Sequence, residues 1–357
     1  MPVAYLPLGT LEWHGPHMPL GADGIQSKEL FVRVAEKVGG VVLPILFMGP
    51  DRVFHDGDKA FYGMDINTEG ALNTYHVQQM KGSAYWLEKG LFQDYLRSIF
   101  AQLSRAGIRI VVGHGHGPST HAFQELEEEA KEKYLEDLKN WLCEIESAPL
   151  EEMGAFFRKR LPEYEARMTK FWGEDYKQFA RAVPQSAKRI LDLGCGTGLE
   201  LDALYNLRTD ISVTGIDLSP DMLDVLMKKH GDKDLTLLCG SYFAVPFPGA
   251  FDAVISFESL HHFLPEKKRQ LFKRIYDCLT PGGMFVNGDY FACCDEEENL
   301  LRETWSRKRR EENIPDDAFV HFDIPLTKEH ETALLKEVGF TVTVENGNDC
   351  SIIKAVK

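Results

Sequence analysis

The order of apolar and polar positions divides the chain into two α/β regions with a helical stretch between them. In the first region, short apolar runs over residues 3–9, 40–46 and 108–112 predict buried strands. Helical spacing of apolar residues over 25–38 and 85–106 predicts helices that alternate with these strands. The alternation predicts an α/β region with a parallel sheet.

The second α/β region carries its clearest pattern between residues 188 and 217. An apolar run from Ile190 to Leu193 predicts a buried strand, residues 194–198 read GCGTG, and a helical pattern follows. The next apolar run ends at Asp217. A glycine turn lets backbone N–H groups approach a ligand, and an acid that closes the next strand can accept hydrogen bonds from ribose hydroxyls. The pattern predicts a nucleoside site on a doubly wound sheet.

Between the two regions, residues 124–147 are rich in Glu, Lys and Leu at helical spacing and contain neither Gly nor Pro. Pro149 ends this predicted helix, and a second helical pattern over 151–181 is interrupted by Pro162, where we expect a break. We therefore predict three parts: a small α/β segment over 1–123, a helical connector over 124–164, and a larger α/β domain over 165–357.

Composition narrows the functional classes. The 357 residues carry a formal net charge of −15, which argues against binding to a nucleic-acid backbone. The basic run at 307–310 is flanked by acids in a helical pattern and is interpreted as a solvated face. The sequence contains neither an apolar stretch of membrane-spanning length nor a signal peptide, and its seven cysteines form no C-x-x-C pair. We expect a cytoplasmic protein with reduced thiols and no membrane or nucleic-acid partner.

The glycine spacing refines the ligand. Asp192 lies two residues before Gly194, and a carboxylate there would repel a pyrophosphate but suits a ligand that carries an ammonium and a sulfonium. This D-x-G-x-G-x-G stretch resembles the first motif of the class I S-adenosylmethionine (SAM)-dependent methyltransferases, and the resemblance extends over about residues 165–357. Further matching segments are the runs at 237–241, 251–256, 260–263, 279–288 and 334–357.

The resemblance implies a Rossmann-like seven-stranded sheet and a set of SAM-binding residues. The implied cofactor-binding residues are Asp192, Gly194, Gly196, Gly198, Asp217, Leu218, Met222, Ser241, Tyr242 and Phe257. His261 and His262 lie on the loop that faces the acceptor, so either is a candidate general base or only shapes the pocket. Asp289 and Tyr290 are comparable candidates. The aromatic stripe of Trp172, Tyr176 and Phe179 either closes over SAM or packs in the core.

The N-terminal segment carries different chemistry. Glu12, His14, His17 and Asp23 lie within twelve residues after the first predicted strand, and residues 113–117 read GHGHG after another strand. Parallel strands place such loops at one edge of a sheet, so the two clusters could converge. Mixed imidazole and carboxylate ligands suit Zn²⁺, Mn²⁺ or Fe²⁺.

Together these clusters resemble the creatininase family of binuclear metal amidohydrolases over about residues 1–130. The resemblance implies that Glu12, His14, Asp23 and His114 are metal ligands, with Asp23 bridging two ions. His116 stands where that family has a further carboxylate ligand. No counterpart of the later family segment His-Ala-Gly-x-x-Glu-Thr is present, so the segment is shortened and lacks an obvious proton-transfer group. Substitutes for that group are His17, His55, Asp56 and His76.

We therefore predict a SAM-dependent methyltransferase that acts on a small molecule, with a creatininase-like metal segment. Two other hypotheses stay open: an amidohydrolase and a methyltransferase acting in sequence on one pathway intermediate, or a SAM-binding scaffold without transfer activity. Creatininase-like proteins tend to be oligomers, so a homo-oligomer is a further expectation. The methyl acceptor cannot be read from the sequence.

Overall fold

The computed structural model describes residues 3–12, 14, 18–63, 85–108, 110–145, 148–346 and 350–357. The chain divides into two compact units, residues 1–139 and residues 140–357. Each unit has its own sheet, and each is described separately below.

The first unit is organised around strand β1 (Val3–Leu8), the middle strand of a three-stranded sheet. It pairs in parallel with β2 (Val41–Val42) on one side and with β5 (Ile110–Gly115) on the other. Successive side chains of a strand point to opposite faces, so Leu6 and Leu8 pack in one apolar cluster and Val3 and Tyr5 in another. The apolar runs predicted as strands thus form this sheet, although only residues 41–42 of the run 40–46 are a strand.

The remaining elements of the first unit cover this sheet or extend from it. They are helices α1 (Ala22–Val38), α2 (Lys89–Arg105) and α3 (Gly117–Ile145), and the antiparallel hairpin of β3 (Val53–Asp56) and β4 (Lys59–Tyr62). The metal-segment residues lie where β1 and β5 end, because His114 pairs with Pro7 and Gly115 with Leu8. Both loops therefore leave the same edge of the sheet.

The second unit contains a seven-stranded sheet in the order β11-β12-β10-β9-β6-β7-β8. All neighbours pair in parallel except β12, which runs antiparallel to β10 and β11. The strands are β6 (Arg189–Leu193), β7 (Ser212–Asp217), β8 (Leu235–Cys239), β9 (Phe251–Phe257), β10 (Leu279–Asp289), β11 (Thr341–Asn346) and β12 (Ser351–Val356). This confirms the Rossmann-like seven-stranded domain.

The helices of the second unit are α4 (Met153–Ala182), α5 (Leu199–Leu207), α6 (Pro220–His230), α7 (Pro265–Cys278), α8 (Asp295–Glu311) and α9 (Lys328–Val338). The two large apolar clusters of this unit contain strand residues of the sheet, including fully buried Ile190 and Leu191. Tyr176 and Phe179 pack on Phe257 at ring-centroid distances of 4.5 and 5.1 Å, in the core.

The expected break at Pro162 is wrong, because α4 continues through this residue from Met153 to Ala182. Proline removes one hydrogen bond to the preceding turn, and a long helix tolerates that loss when the rest of its length is packed. The start of α4 is fixed by Glu152, whose side chain accepts hydrogen bonds from the N–H groups of Gly154 and Ala155. Its far end is buried at Phe179 and Ala180.

Among the described residues, no helix combines the length and the apolar content that crossing a membrane requires.

Candidate functional site

The candidate site lies where the strand order of the large sheet reverses. β6 is followed in the chain by β7 on one side, whereas β9 lies on its other side, so the loops after β6 and β9 diverge and leave a crevice at the carboxyl ends of the strands. A cavity open to solvent occupies this crevice. Its lining comprises Met153, Gly154, Phe157, Tyr164, Gly194, Gly196, Asp217, Leu218, Ser219, Met222, Tyr242, Phe257, Glu258, Ser259, His262 and Phe319.

The glycine loop after β6 depends on its glycines. Gly194, Gly196 and Gly198 have φ angles of 77°, 47° and 75°, a region that favours glycine. A Cβ atom on Gly194 would lie 2.2 Å from Ser259 Oγ, so only glycine lets this loop approach the loop after β9. Gly198 caps the N-terminus of α5. The spacing therefore reflects both the turn conformation and a close approach across the crevice.

Asp217, at the end of β7, holds the glycine loop and the next helix together. Its Oδ2 accepts a hydrogen bond from the Gly196 N–H group at 2.9 Å, and its Oδ1 accepts one from Ser219 N–H at 2.8 Å. Burial raises the pKa of Asp217, although these backbone hydrogen bonds oppose the increase. Each carboxylate oxygen has a second lone pair, so Asp217 can still accept hydrogen bonds from a ligand that enters the cavity.

Asp192 lies beneath the loop rather than on the cavity surface. Its side chain is fully buried, and Glu200 from the first turn of α5 is buried beside it. Burial raises the pKa of Asp192 to about 7, and burial together with the charge of Asp192 raises the pKa of Glu200 well above its usual range. A buried acidic pair of this kind is suited to stabilise positive charge nearby.

A second, larger cavity opens along helix α4. It shares Phe157, Tyr164, Glu258 and His262 with the first cavity, so the two adjoin. The rest of its lining is Phe156, Lys159, Arg160, Pro162, Glu163, Arg167, Met168, Phe171, Trp172, His261, His321 and Asp323. Aromatic and cationic side chains thus surround a space beside the crevice.

The two histidines after β9 differ in protonation. His261 is hydrogen-bonded through Nδ1 to Asp289 Oδ1 at 2.6 Å, and its Nε2 lies 3.5 Å from Asp323 Oδ1. Burial alone would lower the pKa of His261, but the two carboxylates raise it well above its usual range. Burial and the neighbouring charge of His261 lower the pKa of His262. His261 is therefore an imidazolium between two acids, and His262 is a neutral ring.

The structure brings most of the predicted SAM-site residues to the first cavity. The predicted residues that line this cavity are Gly194, Gly196, Asp217, Leu218, Met222, Tyr242 and Phe257. Three predicted residues do not line it: Asp192, Gly198 and Ser241. Ser241 lies beyond β8, where its Oγ accepts a hydrogen bond from Phe243 N–H at 3.2 Å. Of the predicted catalytic residues, His262 lines both cavities, His261 lines the second, and Asp289 is buried behind His261.

Sequence reasoning missed Glu258 and Tyr164, which line both cavities. Glu258 directly follows β9, so its place at a strand end was a usable signal. Tyr164 comes from α4, far from the glycine loop in sequence, and no local pattern marks it.

In the first unit, the candidate metal residues form two groups that share Glu12. His14 Nε2 lies 3.4 Å from Glu12 Oε2 and 3.7 Å from Asp23 Oδ2. His116 Nε2 lies 3.4 Å from the same Glu12 oxygen and 3.6 Å from Asp51 Oδ1. In each group the donor atoms lie within 4.8 Å of one another, a spacing that could hold a metal ion. Asp51 is a member that the sequence did not indicate.

His114 stands beside these groups. Its Nδ1 shares a hydrogen bond of 2.9 Å with Ser27 Oγ, and its ring packs edge-on against Phe31. An imidazole fixed through Nδ1 keeps Nε2 for another partner, which is the usual arrangement of a metal-binding histidine. His114 as a ligand stays a prediction.

The donor set fits a divalent cation. Glu12, Asp51 and His116 are buried, and the carboxylates outweigh burial in raising the pKa of His116. A Cβ atom on Gly63 would lie 2.3 Å from Asp51 Oδ2 and 2.6 Å from Glu12 Oε1, so a glycine lets the chain pass this cluster. Carboxylates and imidazoles close together in a buried site are a typical metal-binding set. His55 and Asp56, the described substitutes for a proton-transfer group, are exposed; His17 and His76 lie outside the described residues.

Two family models match the chain. The model for a methyltransferase domain matches residues 190–283, which include the glycine loop and the histidine loop. The model for creatinine amidohydrolase matches residues 1–169.

Individual proteins are also similar to parts of the chain. Carboxy-S-adenosyl-L-methionine synthase of Campylobacter curvus (strain 525.92) is 30% identical over 172 residues, covering 45% of this chain and 72% of that protein. A Geobacillus sp. (strain WCH70) protein of the methyltransferase class is 40% identical over 114 residues, and the chain spans only 44% of its length. The crystal structure of human N-acetylserotonin methyltransferase with SAM is 23% identical, with a TM-score of 0.45, covering 58% of this chain and 59% of that one.

The fold and the first family-model match define a Rossmann-like domain of the methyltransferase class. The chain belongs to the class I SAM-dependent methyltransferase family, and its N-terminal region is creatininase-like.

Proposed function

We propose that the protein transfers a methyl group from SAM to a small-molecule acceptor that binds in the second cavity. The observation that carries the proposal is the pair of adjoining cavities at the reversal of strand order, with Asp217 and the glycine loop in the first. One cavity suits a nucleoside ligand, and the other offers separate space beside it. SAM supplies an electrophilic methyl group, so the protein's main tasks are alignment and exclusion of water.

Five residues of the first cavity and a buried acidic pair below it have roles in this proposal. Asp217 accepts hydrogen bonds from the ribose hydroxyls, and Leu218 and Met222 border the adenine. Gly194 and Gly196 give the ligand access to the loop backbone. An ammonium group bound above the loop would favour the ionised form of the buried pair of Asp192 and Glu200 below it.

The lining of the second cavity favours a small acceptor. Phe157, Tyr164 and Trp172 offer apolar and aromatic surface, and Arg160 stacks on the Phe156 ring with its guanidinium carbon 3.5 Å from the ring centroid. The net charge of −15 disfavours nucleic acid as an acceptor. We place the enzyme in the cytoplasm, since all seven cysteines are free thiols.

The experiment is a metabolite screen of the full-length protein with SAM, followed by mass spectrometry. The expected result is S-adenosylhomocysteine (SAH) together with one metabolite that gains a single methyl group. The Asp217→Ala variant should yield neither product. A carboxylated SAM without SAH would instead assign the chemistry of the carboxy-SAM synthase relatives, and SAH binding without any product would leave a SAM-binding scaffold.

A second candidate function is supported by the donor groups that share Glu12. We propose that the first unit binds a divalent cation such as Zn²⁺, Mn²⁺ or Fe²⁺ through Glu12, His14, Asp23, Asp51 and His116. The cation would act as a Lewis acid there, and hydrolysis of an amide would additionally need a group that moves protons. Metal analysis of the purified protein tests this proposal: Glu12→Ala should remove the metal. If Glu12→Ala also abolishes methylation, the metal segment serves the acceptor; if methylation persists, the two units work independently.

A further inference from the structure

Glu258 has an unusual backbone for its residue type. It is the first residue after β9, and its φ angle of 50° lies in the left-handed region. Among the described non-glycine residues, only Glu258 and Asn313 adopt positive φ. Asparagine tolerates this conformation, whereas glutamate rarely adopts it. Strain of this kind persists where the surrounding structure fixes a side chain in a functional position.

The strained backbone carries the Glu258 side chain to the junction of the two cavities. Glu258 lines both of them, together with Phe157, Tyr164 and His262. Its Oε1 atom is buried, and no described residue forms a hydrogen bond with it. A buried carboxylate oxygen without a partner is costly, so its position indicates an interaction with a ligand.

Charges from four elements surround this carboxyl group. Burial raises the pKa of Glu258 to about 8; His261 opposes the increase, and nearby carboxylates add to it. A carboxyl group in this range is suited to exchange a proton near neutral pH. The groups that face it are His261 from its own loop, Asp289 from the end of β10, Asp323 from the segment after α8, and Asp175, Tyr164 and Tyr176 from α4.

The histidines of the same loop are less suited to take a proton. Both ring nitrogens of His261 face carboxylates, so this residue is already an imidazolium. His262 Nδ1 lies 3.2 Å from the Phe322 carbonyl oxygen and 3.3 Å from Asp323 Oδ1. Its lowered pKa makes it a weak base. Glu258 is the remaining group that lines both cavities and has an unpartnered acceptor atom.

We propose that Glu258 is a catalytic residue that binds the O–H or N–H group of the methyl acceptor and takes its proton. This inference rests on the proposed methyl transfer. As the acceptor's lone pair forms the bond to the methyl carbon, the carbon–sulfur bond breaks and its electron pair stays on sulfur. The proton that the acceptor loses goes to Glu258, which later releases it to solvent.

The test needs no acceptor. Sinefungin is an SAH-like ligand that carries an amine where SAM carries the methyl group, so its ammonium reports on the group that faces this position. We expect the wild-type protein to bind sinefungin at least about tenfold more tightly than SAH, because a charge pair in a partly buried site is strong. Glu258→Gln should abolish this preference and leave the SAH dissociation constant within about twofold. The variant's own SAH binding reports that it has folded.

Two further variants extend the comparison of sinefungin and SAH binding. All dissociation constants are measured by calorimetry on the full-length protein. Glu258→Asn suits the left-handed backbone and should also lose the preference for sinefungin. Glu303→Gln removes an exposed carboxylate of α8 outside both cavities and should retain it. At pH 7, sinefungin should displace on the order of one proton more than SAH from the wild type, and Glu258→Gln should remove this difference.

The outcomes separate the two proposals. A wild type without a preference for sinefungin, or a preference that survives in Glu258→Gln, would overturn the role of Glu258 and leave SAM binding intact. A wild type that binds neither SAH nor sinefungin would overturn the proposed function itself, and the role of Glu258 with it.

Discussion

The replacement of Asp217 by Asn tests the central part of the site. The carboxylate accepts two backbone hydrogen bonds, from Gly196 N–H and Ser219 N–H. An asparagine has only one acceptor oxygen, so its NH₂ group would face one of these donors. A hydrogen bond to a charged group contributes about 1.5–3 kcal/mol, and an unpartnered donor costs a similar amount. The loss of one bond and of ligand contacts should therefore cost about 3 kcal/mol of SAH binding.

This cost corresponds to a rise of about 100-fold in the SAH dissociation constant, because each 1.4 kcal/mol is about a factor of ten. Asp217→Ala, which removes both acceptor atoms, should weaken binding at least as much. Isothermal titration calorimetry measures the constant, and circular dichroism checks that the variant has folded. Asp224→Asn is a matched control, since it changes an exposed carboxylate of α6, the helix that follows β7. If Asp217→Asn binds SAH within about threefold of the wild type, the assignment of Asp217 is refuted.

Three further predictions concern buried charge and the first unit. Lys268 Nζ lies 2.7 Å from Glu331 Oε2 in a fully buried ion pair. Lys268→Met should lower the free energy of unfolding by about 3–5 kcal/mol in urea titrations, because it leaves the buried Glu331 without its cation. The contribution of Asp192 to the free energy of unfolding, measured as the difference between the wild type and Asp192→Asn, should fall as pH rises from about 4 to about 7. Asp192 holds its proton to about pH 7 when folded but to about pH 4 when unfolded, and Glu200→Gln should reduce this slope. Asp51→Asn should weaken Mn²⁺ binding at least about tenfold in equilibrium dialysis.

Each of these predictions has a control. The double variant Lys268→Met with Glu331→Leu should recover most of the lost stability, because no buried charge then lacks a partner. A difference in stability between the wild type and Asp192→Asn that stays flat or rises between pH 4 and pH 7 would contradict the protonated Asp192. Asp56→Asn, in the exposed hairpin of the first unit, should leave Mn²⁺ affinity unchanged, and an Asp51→Asn variant equal to it would show that Asp51 is not a ligand.

The predictable parts of the second unit are those whose physical cause is local. Within the thirty residues from 188 to 217, the sequence pattern indicates a buried strand, a turn that requires left-handed glycines, and an acid at the end of the next strand. Asp217 could be predicted because it is the last residue of its strand. The same local logic drew attention to Glu12, His14 and His116 in the first unit, which follow adjacent strands and whose side chains lie close together; their role as metal ligands stays a prediction.

The features that could not be predicted arise where side chains from elements distant in sequence meet in the folded structure. Asp51 follows the β2 region without any local pattern, yet its carboxylate lies 3.6 Å from His116 Nε2. The protonation of His261 could not be predicted either, because it is set by Asp289 and Asp323, which come from separate elements. A sequence pattern shows that two histidines follow a strand; only the packed structure shows which of them is charged.

The same reasoning explains why the acceptor is not encoded in the family motifs. The motifs from 190 to 283 contribute most of the lining of the first cavity, which α4 and Phe319 complete. The wall of the second cavity comes mainly from α4 and from the segment that contains His321. These two elements are joined directly, since Met153 N–H donates to the Phe319 carbonyl oxygen and His321 N–H donates to that of Glu151. His321 also stacks on Phe156 with a ring-centroid distance of 3.4 Å. Under the proposed function, specificity for the acceptor would therefore depend largely on a helix and a loop that precede and follow the motifs.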